Sequence, residues 1–213
     1  MKRVGVYGGT FDPFHNAHLR LARALRDELA LDEVRLIPAG RPYHRDSGPH
    51  ADAGQRLAMV RLGIAGETGL TADAREVVSA RNAYTVETLE ALRAELGQNT
   101  ELWCLIGSDS LEHLDRWHRW RELFALANLA VAIRPGFDAA RLAPAVRAEW
   151  DARQVSDFSN RTPCGTIRAL ALTPVALSAT EIRRRLAAGD DVADCVPEAV
   201  AEHIRRLGLY RPA

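Results

Sequence analysis

The sequence predicts an α/β fold: a doubly wound, Rossmann-like parallel sheet with helices on both faces, in a single domain that covers residues 1–213. Short apolar runs alternate with amphipathic helical segments along the chain. The first strand, helix and second strand fit within about forty residues, as in a βαβ unit, whose right-handed crossover implies parallel strands. A hydrophobic content of 47% with 26% charged residues is sufficient for one continuous core.

The elements follow in order from the amino terminus. The run Arg3-Val4-Gly5-Val6-Tyr7 predicts a strand that enters a tight loop at Gly8-Gly9. Residues 16–30 predict a helix, because leucines and alanines recur there at steps of three and four positions. Val34-Arg35-Leu36-Ile37 before Pro38 predicts the second strand. Further elements are expected as helices at 53–65 and 86–95 and a strand near 70–73.

The second half of the chain continues the alternation. Leu102-Trp103-Cys104-Leu105-Ile106 predicts an apolar strand that stops at Gly107, and residues 129–133 predict another strand before Arg134-Pro135-Gly136. Short helical pieces are expected between these strands, then a helix after Asp138, an irregular stretch at 156–165, a strand near 167–172 and two closing helices. Ligands of such a sheet bind at the carboxyl ends of its strands.

Composition excludes several functional classes. Lys+Arg number 28 and Asp+Glu number 28, and this balance argues against a general nucleic-acid or anionic-membrane binder. No apolar run approaches the roughly 18 residues of a membrane span, and no signal-peptide core follows Met1-Lys2-Arg3. The 3 cysteines are widely separated, without CxxC spacing, so neither a disulfide framework nor a structural zinc site is indicated. The expected compartment is the cytoplasm.

The loop after the first strand has the features of an anion site. Gly8 and Gly9 let the backbone approach a ligand, and the following helix directs its positive dipole end into the same space. His15 and His18 are spaced so that both imidazoles lie on one helix face. The loop is neither a Walker A motif nor GxGxxG. The alternatives are a simple turn, a metal pair or two surface histidines, although no third metal ligand stands at a supporting spacing.

A second candidate anion site begins the helix after Leu177. Ser178 and Glu181 have the spacing of a capping box, in which the serine caps the helix and the glutamate reaches back. Arginines in the first turns of a helix oppose its dipole, and a bound anion would reconcile them, with Arg183 as the best candidate to reach it. Arg184 and Arg185 are expected to be surface charges. The alternative is a well-capped helix with a solvated basic turn.

Both segments resemble the hallmarks of the nucleotidylyltransferase superfamily. Gly9-Thr10-Phe11-Asp12-Pro13-x-His15-x-x-His18 is similar to its (H/T)xGH loop, with Ala17 in place of the usual glycine. Ser178-x-Thr180-x-Ile182-Arg183 is similar to its SxTxIR stretch, which grips the triphosphate. The resemblance implies transfer of a nucleoside monophosphate from a nucleoside triphosphate.

Further segments resemble one branch, the bacterial nicotinate mononucleotide adenylyltransferases. The loop Pro42-Tyr43-His44-Arg45 is similar to the one that faces the mononucleotide phosphate, with Tyr43 and Gly40 as departures from the usual pattern. Ala83-Tyr84-Thr85 is similar to the segment that presents N–H groups to the pyridine carboxylate. Ile106-Gly107-Ser108-Asp109 and Trp117 are similar to the stretch that contacts adenosine and stacks on the pyridine. Taken singly, Trp117 and Trp120 are expected in the core, Tyr84 and Thr85 as a helix start, and Asp109 as an N-cap.

These resemblances imply roles for individual residues. The expected catalytic residues are His15, His18 and Arg183. The expected ATP-binding residues are Gly8, Gly9, Thr10, Phe11, Gly107, Asp109, Ser178, Thr180 and Ile182. The expected mononucleotide-binding residues are His44, Arg45, Tyr84, Thr85 and Trp117. No protein metal ligand is expected, since Mg²⁺ would be held mainly by the phosphates of ATP and by water. The helical part at about 178–213 is expected to complete the ATP site.

The predicted reaction is the transfer of AMP from ATP to nicotinate mononucleotide, giving the deamido form of NAD and pyrophosphate. Alternatives are the amide mononucleotide as acceptor, another nucleotidyl transfer such as one that uses CTP, and a non-catalytic nucleotide-binding module. An NAD-dependent oxidoreductase is disfavoured, because the first strand lacks the glycine fingerprint. No nucleic-acid or membrane partner is expected, and homo-oligomer formation is left open.

Overall fold

The computed structural model describes residues 1–41, 49–79, 84–156, 161–172, 175 and 177–211. The strands are β1 (Arg3–Gly9), β2 (Glu33–Pro38), β3 (Leu70–Ala72), β4 (Glu101–Gly107), β5 (Asn128–Ala132) and β6 (Ile167–Ala169). The helices are α1 (Asn16–Glu28), α2 (Ala53–Gly63), α3 (Arg75–Val78), α4 (Thr85–Leu96), α5 (Ser108–Glu112), α6 (Leu123–Leu126), α7 (Pro144–Arg153), α8 (Ala179–Ala188) and α9 (Glu198–Leu207). Short 3-10 turns lie at Leu114–Arg116, Trp120–Glu122 and Ala139–Arg141.

The strands form a sheet in the order β3-β2-β1-β4-β5-β6. This is the doubly wound order, in which the chain winds outward from β1 in one direction and then from β4 in the other. β1 pairs in parallel with β4, β4 with β5, and β5 with β6. The predicted fold class is therefore confirmed, and the change of winding direction between β1 and β4 marks the edge where such folds bind ligands.

The chain divides into two compact units. The first comprises Met1–Gly8, Ala24–Arg35 and Tyr84–Pro174. Its strand β5 is buried at every position and β4 at every position before Gly107, as expected of central parallel strands covered on both faces. The buried carboxylate of Glu101 accepts hydrogen bonds from Arg3 Nε at 3.1 Å and from Trp103 Nε1 at 2.7 Å, so this buried charge is paired.

The second unit comprises Gly9–Arg23, Leu36–Ala83 and Val175–Ala213. Asp52 caps α2 by accepting from the N–H of Gln55 at 2.8 Å, and Gly208 ends α9 with a φ of +62°. The core of this unit combines aromatic side chains of the loop before α1 with aliphatic side chains of α2, α8 and α9. Its largest fully buried members include Phe11, Phe14, Met59 and Arg56.

Two predicted elements differ from the structure in extent, and one short helix was not predicted. The helix expected after Asp138 begins only at Pro144, because residues 139–141 first form a 3-10 turn that Asp138 caps. The strand expected at 167–172 is limited to Ile167–Ala169. The short helix α3 was not predicted, since one turn carries no recognisable apolar period. Every helix in the described ranges is too short or too polar to cross a membrane.

Candidate active site

The loop between β1 and α1 is held by tight packing around Phe11. Phe11 is buried and has a φ of +50°, a left-handed conformation that is costly for an aromatic residue. A Cβ atom at Gly9 would lie only 2.9 Å from the Phe11 ring, so this position requires glycine. The ring in turn meets the imidazole of His18 edge-on at a centroid distance of 5.0 Å. Phe11, predicted to bind ATP, is therefore well placed to fix the orientation of His18.

His15 and His18 form a stacked pair. Their ring centroids are 3.6 Å apart and their planes differ by 20°. The backbone N–H of His15 donates to Nδ1 of His18 at 3.2 Å. Because Nδ1 of His18 accepts this bond, its neutral imidazole carries the proton on Nε2. The structure thus defines the tautomer of His18, with Nε2–H available as a donor group.

Both imidazoles are neutral at pH 7. Burial lowers the pKa of His15 to about 4. Burial and the neighbouring His15 lower the pKa of His18 well below its ordinary value. The sequence hypothesis, in which these histidines neutralise developing charge, is therefore revised for the ligand-free protein: they act as neutral hydrogen-bonding groups. Among the described residues Nδ1 of His15 is buried without a hydrogen-bond partner, which is the state expected of a group that awaits a ligand.

Arg183 brings the second predicted motif to this loop. Its Nη1 donates to the backbone carbonyl of Asp12 at 2.6 Å, and its Nη2 donates to Oγ1 of Thr180 at 3.2 Å. Its side chain is 12% exposed, so the cation is largely shielded but still reachable. The carbonyl that receives Arg183 belongs to the same loop as the histidine pair. Segments from the two ends of the sequence therefore meet within the second unit.

The start of α8 follows the prediction only in part. Ser178 caps the helix by accepting from the N–H of Glu181 at 3.2 Å, as predicted. The carboxylate of Glu181, however, accepts from Arg184 at 2.8 and 2.6 Å instead of reaching back to the cap. Ile182 is fully buried and its N–H donates to the carbonyl of Ser178, so it anchors the helix, and its contact with ATP stays a prediction.

Two buried charged residues that were not singled out from the sequence organise this unit. The carboxylate of Asp12 accepts from the N–H groups of His50 and Ala51 and from the hydroxyl of Tyr210, at 2.8, 3.1 and 2.8 Å. Arg56 donates from its guanidinium to the carbonyls of Ala51, Thr10 and Gly40 at 3.2, 2.8 and 3.1 Å. Asp12 lies inside the recognised motif, but Arg56 stands in α2 outside any recognised motif, so only the structure reveals its role.

In the first unit the predicted glycines lie at adjacent strand ends. Gly8 and Gly107 stand at the carboxyl ends of the paired strands β1 and β4. A Cβ atom at either position would meet no atom within 4 Å, so both border open space. Asp109 lies in the first turn of α5 and does not cap it, contrary to the alternative considered above. Its carboxylate pairs instead with Arg134, which follows β5.

The residues predicted to bind the pyridine also belong to the first unit. Tyr84 and Thr85 begin α4, and the side chain of Tyr84 makes no capping hydrogen bond to this helix. The ring of Tyr84 lies 4.5 Å from that of His118. Trp117 is half-buried, whereas Trp120 is buried and packs against Phe124. The core alternative is thus correct for Trp120, and Trp117 keeps an accessible face.

The remaining predictions concern two mononucleotide-binding residues and the metal. His44 and Arg45 lie outside the described residues. Within the described ranges no cluster of three or more His, Cys, Asp or Glu side chains is arranged to hold a metal ion.

Comparison with known proteins places this geometry in a family. Residues 6–185 match the family model described as cytidylyltransferase-like. A protein of Chromobacterium violaceum is 66% identical over 98% of this chain and 99% of its own length, and its name is probable nicotinate-nucleotide adenylyltransferase. A protein of Laribacter hongkongensis with the same name is 58% identical over 98% of this chain and 94% of its own length.

A solved structure extends the likeness to the fold. The nicotinic acid mononucleotide adenylyltransferase of Plasmodium falciparum, complexed with NaAD, superposes with a TM-score of 0.73 over 99% of this chain and 98% of its own, at 16% identity. The near-complete coverage shows that the two proteins share one fold. This chain therefore belongs to the cytidylyltransferase-like family and, within it, to the nicotinate-nucleotide adenylyltransferases.

Proposed function

We propose that this protein transfers AMP from ATP to nicotinate mononucleotide, releasing pyrophosphate and forming the deamido form of NAD. The observation that carries the proposal is the contact of Arg183 with the carbonyl of Asp12. It places the guanidinium of Arg183 on the loop that holds His15 and His18. All three side chains can donate hydrogen bonds to phosphate oxygens. Relatives at 66% and 58% identity are named for this activity, which supports nicotinate mononucleotide as the acceptor and ATP as the donor.

The chemistry requires no general base. The 5′-phosphate of the mononucleotide carries roughly 1.5 to 2 negative charges at neutral pH, so its oxygen is already a nucleophile. In the proposed step this oxygen attacks the α-phosphorus of ATP. The new P–O bond forms as the bond from the α-phosphorus to the bridging oxygen breaks, and pyrophosphate leaves with the electron pair. Positioning of two anions and stabilisation of charge on the transferred group are then the main tasks of the protein.

The three proposed catalytic side chains divide these tasks by charge. Arg183 supplies a permanent positive charge, since a guanidinium is protonated at any working pH. The neutral His15 and His18 supply hydrogen bonds in the ligand-free state, and a bound triphosphate would favour protonation of the pair. Mg²⁺ enters as part of the ATP substrate, because this ion keeps several waters and is bound through substrate phosphates. Ser178 and Thr180 are proposed to contact the phosphates beside Arg183.

The preference for an acid acceptor is assigned to the start of α4. The first N–H groups of a helix attract a carboxylate through hydrogen bonding and the helix dipole. Tyr84 and Thr85 stand at this start. An amide would place its own donors against these N–H groups and carries no charge. Trp117, with its accessible face, is proposed to stack on the pyridine, while Gly107 and Asp109 are proposed to contact adenosine.

The test is pyrophosphate release with Mg²⁺, nicotinate mononucleotide and either ATP or CTP, for wild type and for two variants of α8. Arg183→Gln should lower kcat about a hundredfold, the usual cost of removing one electrostatic group. Arg184→Gln is the matched control, because Arg184 is exposed and its guanidinium pairs with Glu181 of the same helix. It should leave kcat within about twofold of wild type, since exposed ion pairs contribute little.

Each contrary result has a distinct meaning. Preference for CTP would replace adenylyl by cytidylyl transfer. Binding of ATP without pyrophosphate release would indicate a nucleotide-binding module. Equal losses in Arg183→Gln and Arg184→Gln would remove the assigned role of Arg183. We also propose a cytoplasmic location, which suits ATP as the donor.

A further inference from the structure

We propose that Tyr210, close to the carboxyl terminus, is a positioning residue for the transfer reaction that acts through Asp12 on Arg183. The kinetic part of this inference rests on the proposed function. Two hydrogen bonds inside the second unit link these three residues. The hydroxyl of Tyr210 donates to Oδ1 of Asp12 at 2.8 Å, and the backbone carbonyl of Asp12 accepts from Arg183 at 2.6 Å.

Asp12 is fixed from several directions at once. The residue is 1% exposed, and its two carboxylate oxygens accept from the N–H groups of His50 and Ala51 as well as from Tyr210. The guanidinium of Arg183 lies 4.0 Å from Oδ2, so a second, weaker attraction joins the same two residues. A buried carboxylate needs such partners, because an unsatisfied charge is costly in a protein interior. Asp12 therefore holds its own carbonyl in a defined place, and that carbonyl orients Arg183.

The conformation of Tyr210 indicates that this contact is maintained against a cost. Its φ is +66°, in the left-handed region that a tyrosine rarely adopts. The preceding turn uses Gly208, also at a positive φ of +62°, to bring the tail back after α9. Burial and the charge of Asp12 raise the pKa of Tyr210, so its hydroxyl stays protonated and remains a donor. Strain of this kind persists only where surrounding contacts compensate for it.

A purely structural role makes a different prediction from a positioning role. If Tyr210 only anchors the tail, loss of its hydroxyl should lower stability, and any effect on rate should be the same whether or not Arg183 is present. If Tyr210 acts through Asp12 on Arg183, the effect on rate should disappear once Arg183 is gone. A double-mutant cycle separates these cases, because it measures the coupling between two residues.

The experiment compares wild type, Tyr210→Phe, Arg183→Gln and the double variant in pyrophosphate release with ATP and nicotinate mononucleotide. Tyr210→Phe keeps the ring and removes only the hydroxyl. We expect it to lower kcat about tenfold, the order of magnitude for one hydrogen bond to a charged group. The KM for nicotinate mononucleotide should stay within about twofold. In the Arg183→Gln background, Tyr210→Phe should change kcat by less than about twofold.

The control is Leu207→Ala, which alters an exposed side chain at the end of α9 and should leave all constants unchanged. Wild-type kcat in Tyr210→Phe, or an equal tenfold loss with and without Arg183, overturns the inference. A fall in the Tm of Tyr210→Phe without any loss of kcat also overturns it, and shows that Tyr210 only anchors the tail.

The inference can fail separately from the proposed function. The same four proteins are titrated with ATP by calorimetry, which requires no turnover. Tyr210→Phe should weaken ATP binding several-fold in the wild-type background and not in the Arg183→Gln background. If wild type binds ATP but shows no transfer, the proposed function fails while this binding cycle still decides the positioning role. If Tyr210→Phe changes the ATP affinity equally in the wild-type and Arg183→Gln backgrounds, Tyr210 does not act through Arg183, and this result does not depend on which reaction the protein catalyses.

Discussion

The imidazole rings of His15 and His18 stack with their centroids 3.6 Å apart. Two positive charges at this separation would repel each other strongly, and burial disfavours even one. The pair is therefore neutral in the ligand-free protein at pH 7, whereas Arg183 supplies a permanent positive charge beside the loop. This division between neutral donors and fixed charge has consequences for stability, for catalysis and for pH dependence.

The stability of the protein should fall as pH falls below about 6.5, because the unfolded chain binds a proton at His15 that the folded chain resists. The pKa of His15 is about 4 when folded and 6.5 ordinarily, so protonation favours unfolding between these values. The contribution of His15 to the loss from pH 7 to pH 5 is about 2 kcal/mol, and His18, whose pKa burial also lowers, adds to the loss in the same direction. Urea unfolding at the two pH values measures it.

The matched comparison is His15→Asn against His113→Asn. In His15→Asn the free energy of unfolding should fall by about 2 kcal/mol less between pH 7 and pH 5 than in wild type, because the buried imidazole is removed. The second alters an exposed histidine and should leave the slope unchanged. The same slope in His15→Asn and in wild type would show that His15 is not the group responsible.

His18→Ala should lower kcat about a hundredfold, because it removes a donor that is oriented by Phe11, by the backbone of His15 and by stacking. Pyrophosphate release under saturating substrates measures the effect. His113→Ala serves as the control and should behave as wild type. A kcat of His18→Ala within about threefold of wild type would remove the electrostatic role of this residue.

Gly40→Ala should destabilise the protein. A Cβ atom at position 40 would lie 2.0 Å from the backbone carbonyl oxygen of Glu76, which cannot move like the end of a flexible side chain. The cost of such overpacking is about 1–3 kcal/mol, and thermal unfolding should show a lower Tm. Gly8→Ala is the steric control, since its Cβ would meet no atom within 4 Å. An unchanged Tm in Gly40→Ala would mean that this loop shifts freely.

The two neighbouring tryptophans should respond differently to truncation. Trp120 is 7% exposed, so Trp120→Ala should cost about 3–5 kcal/mol of stability. Trp117 is half-buried, and Trp117→Ala should mainly raise the KM for nicotinate mononucleotide, by about tenfold if a stacking contact is lost. Steady-state kinetics and thermal unfolding of both variants test the assignment. An unchanged KM with a large fall in Tm for Trp117→Ala would place this residue in the core.

Sequence reasoning was most successful where one physical signal dominated. The continuous apolar runs of β1, β4 and β5 predicted buried parallel strands, and the order of strands and helices predicted the doubly wound sheet. The cap of α8 by Ser178 followed from local spacing. The one-turn helix α3 and the late start of α7 escaped prediction, because short elements depend on tertiary contacts more than on periodicity.

In the candidate site, too, features with a local sequence signal could be predicted, and features that depend on tertiary contacts could not. The motif residues His15, His18, Thr180 and Arg183 could be identified in the sequence, and the structure brings them together in one unit. The neutral state of the histidines could not be predicted, because it depends on burial. The buried guanidinium of Arg56 and the contact of Tyr210 with Asp12 join residues that lie far apart in the chain, and no local pattern encodes either.

The most direct test of the central claim is the specificity constant for pyrophosphate release with ATP and Mg²⁺, measured with nicotinate mononucleotide and with its amide. The N–H groups at the start of α4 and the relationship to nicotinate-nucleotide adenylyltransferases predict a kcat/KM at least about tenfold higher for the acid. Equal values for the two acceptors would contradict the assigned pyridine site, and no release with either acceptor would contradict the proposed reaction itself.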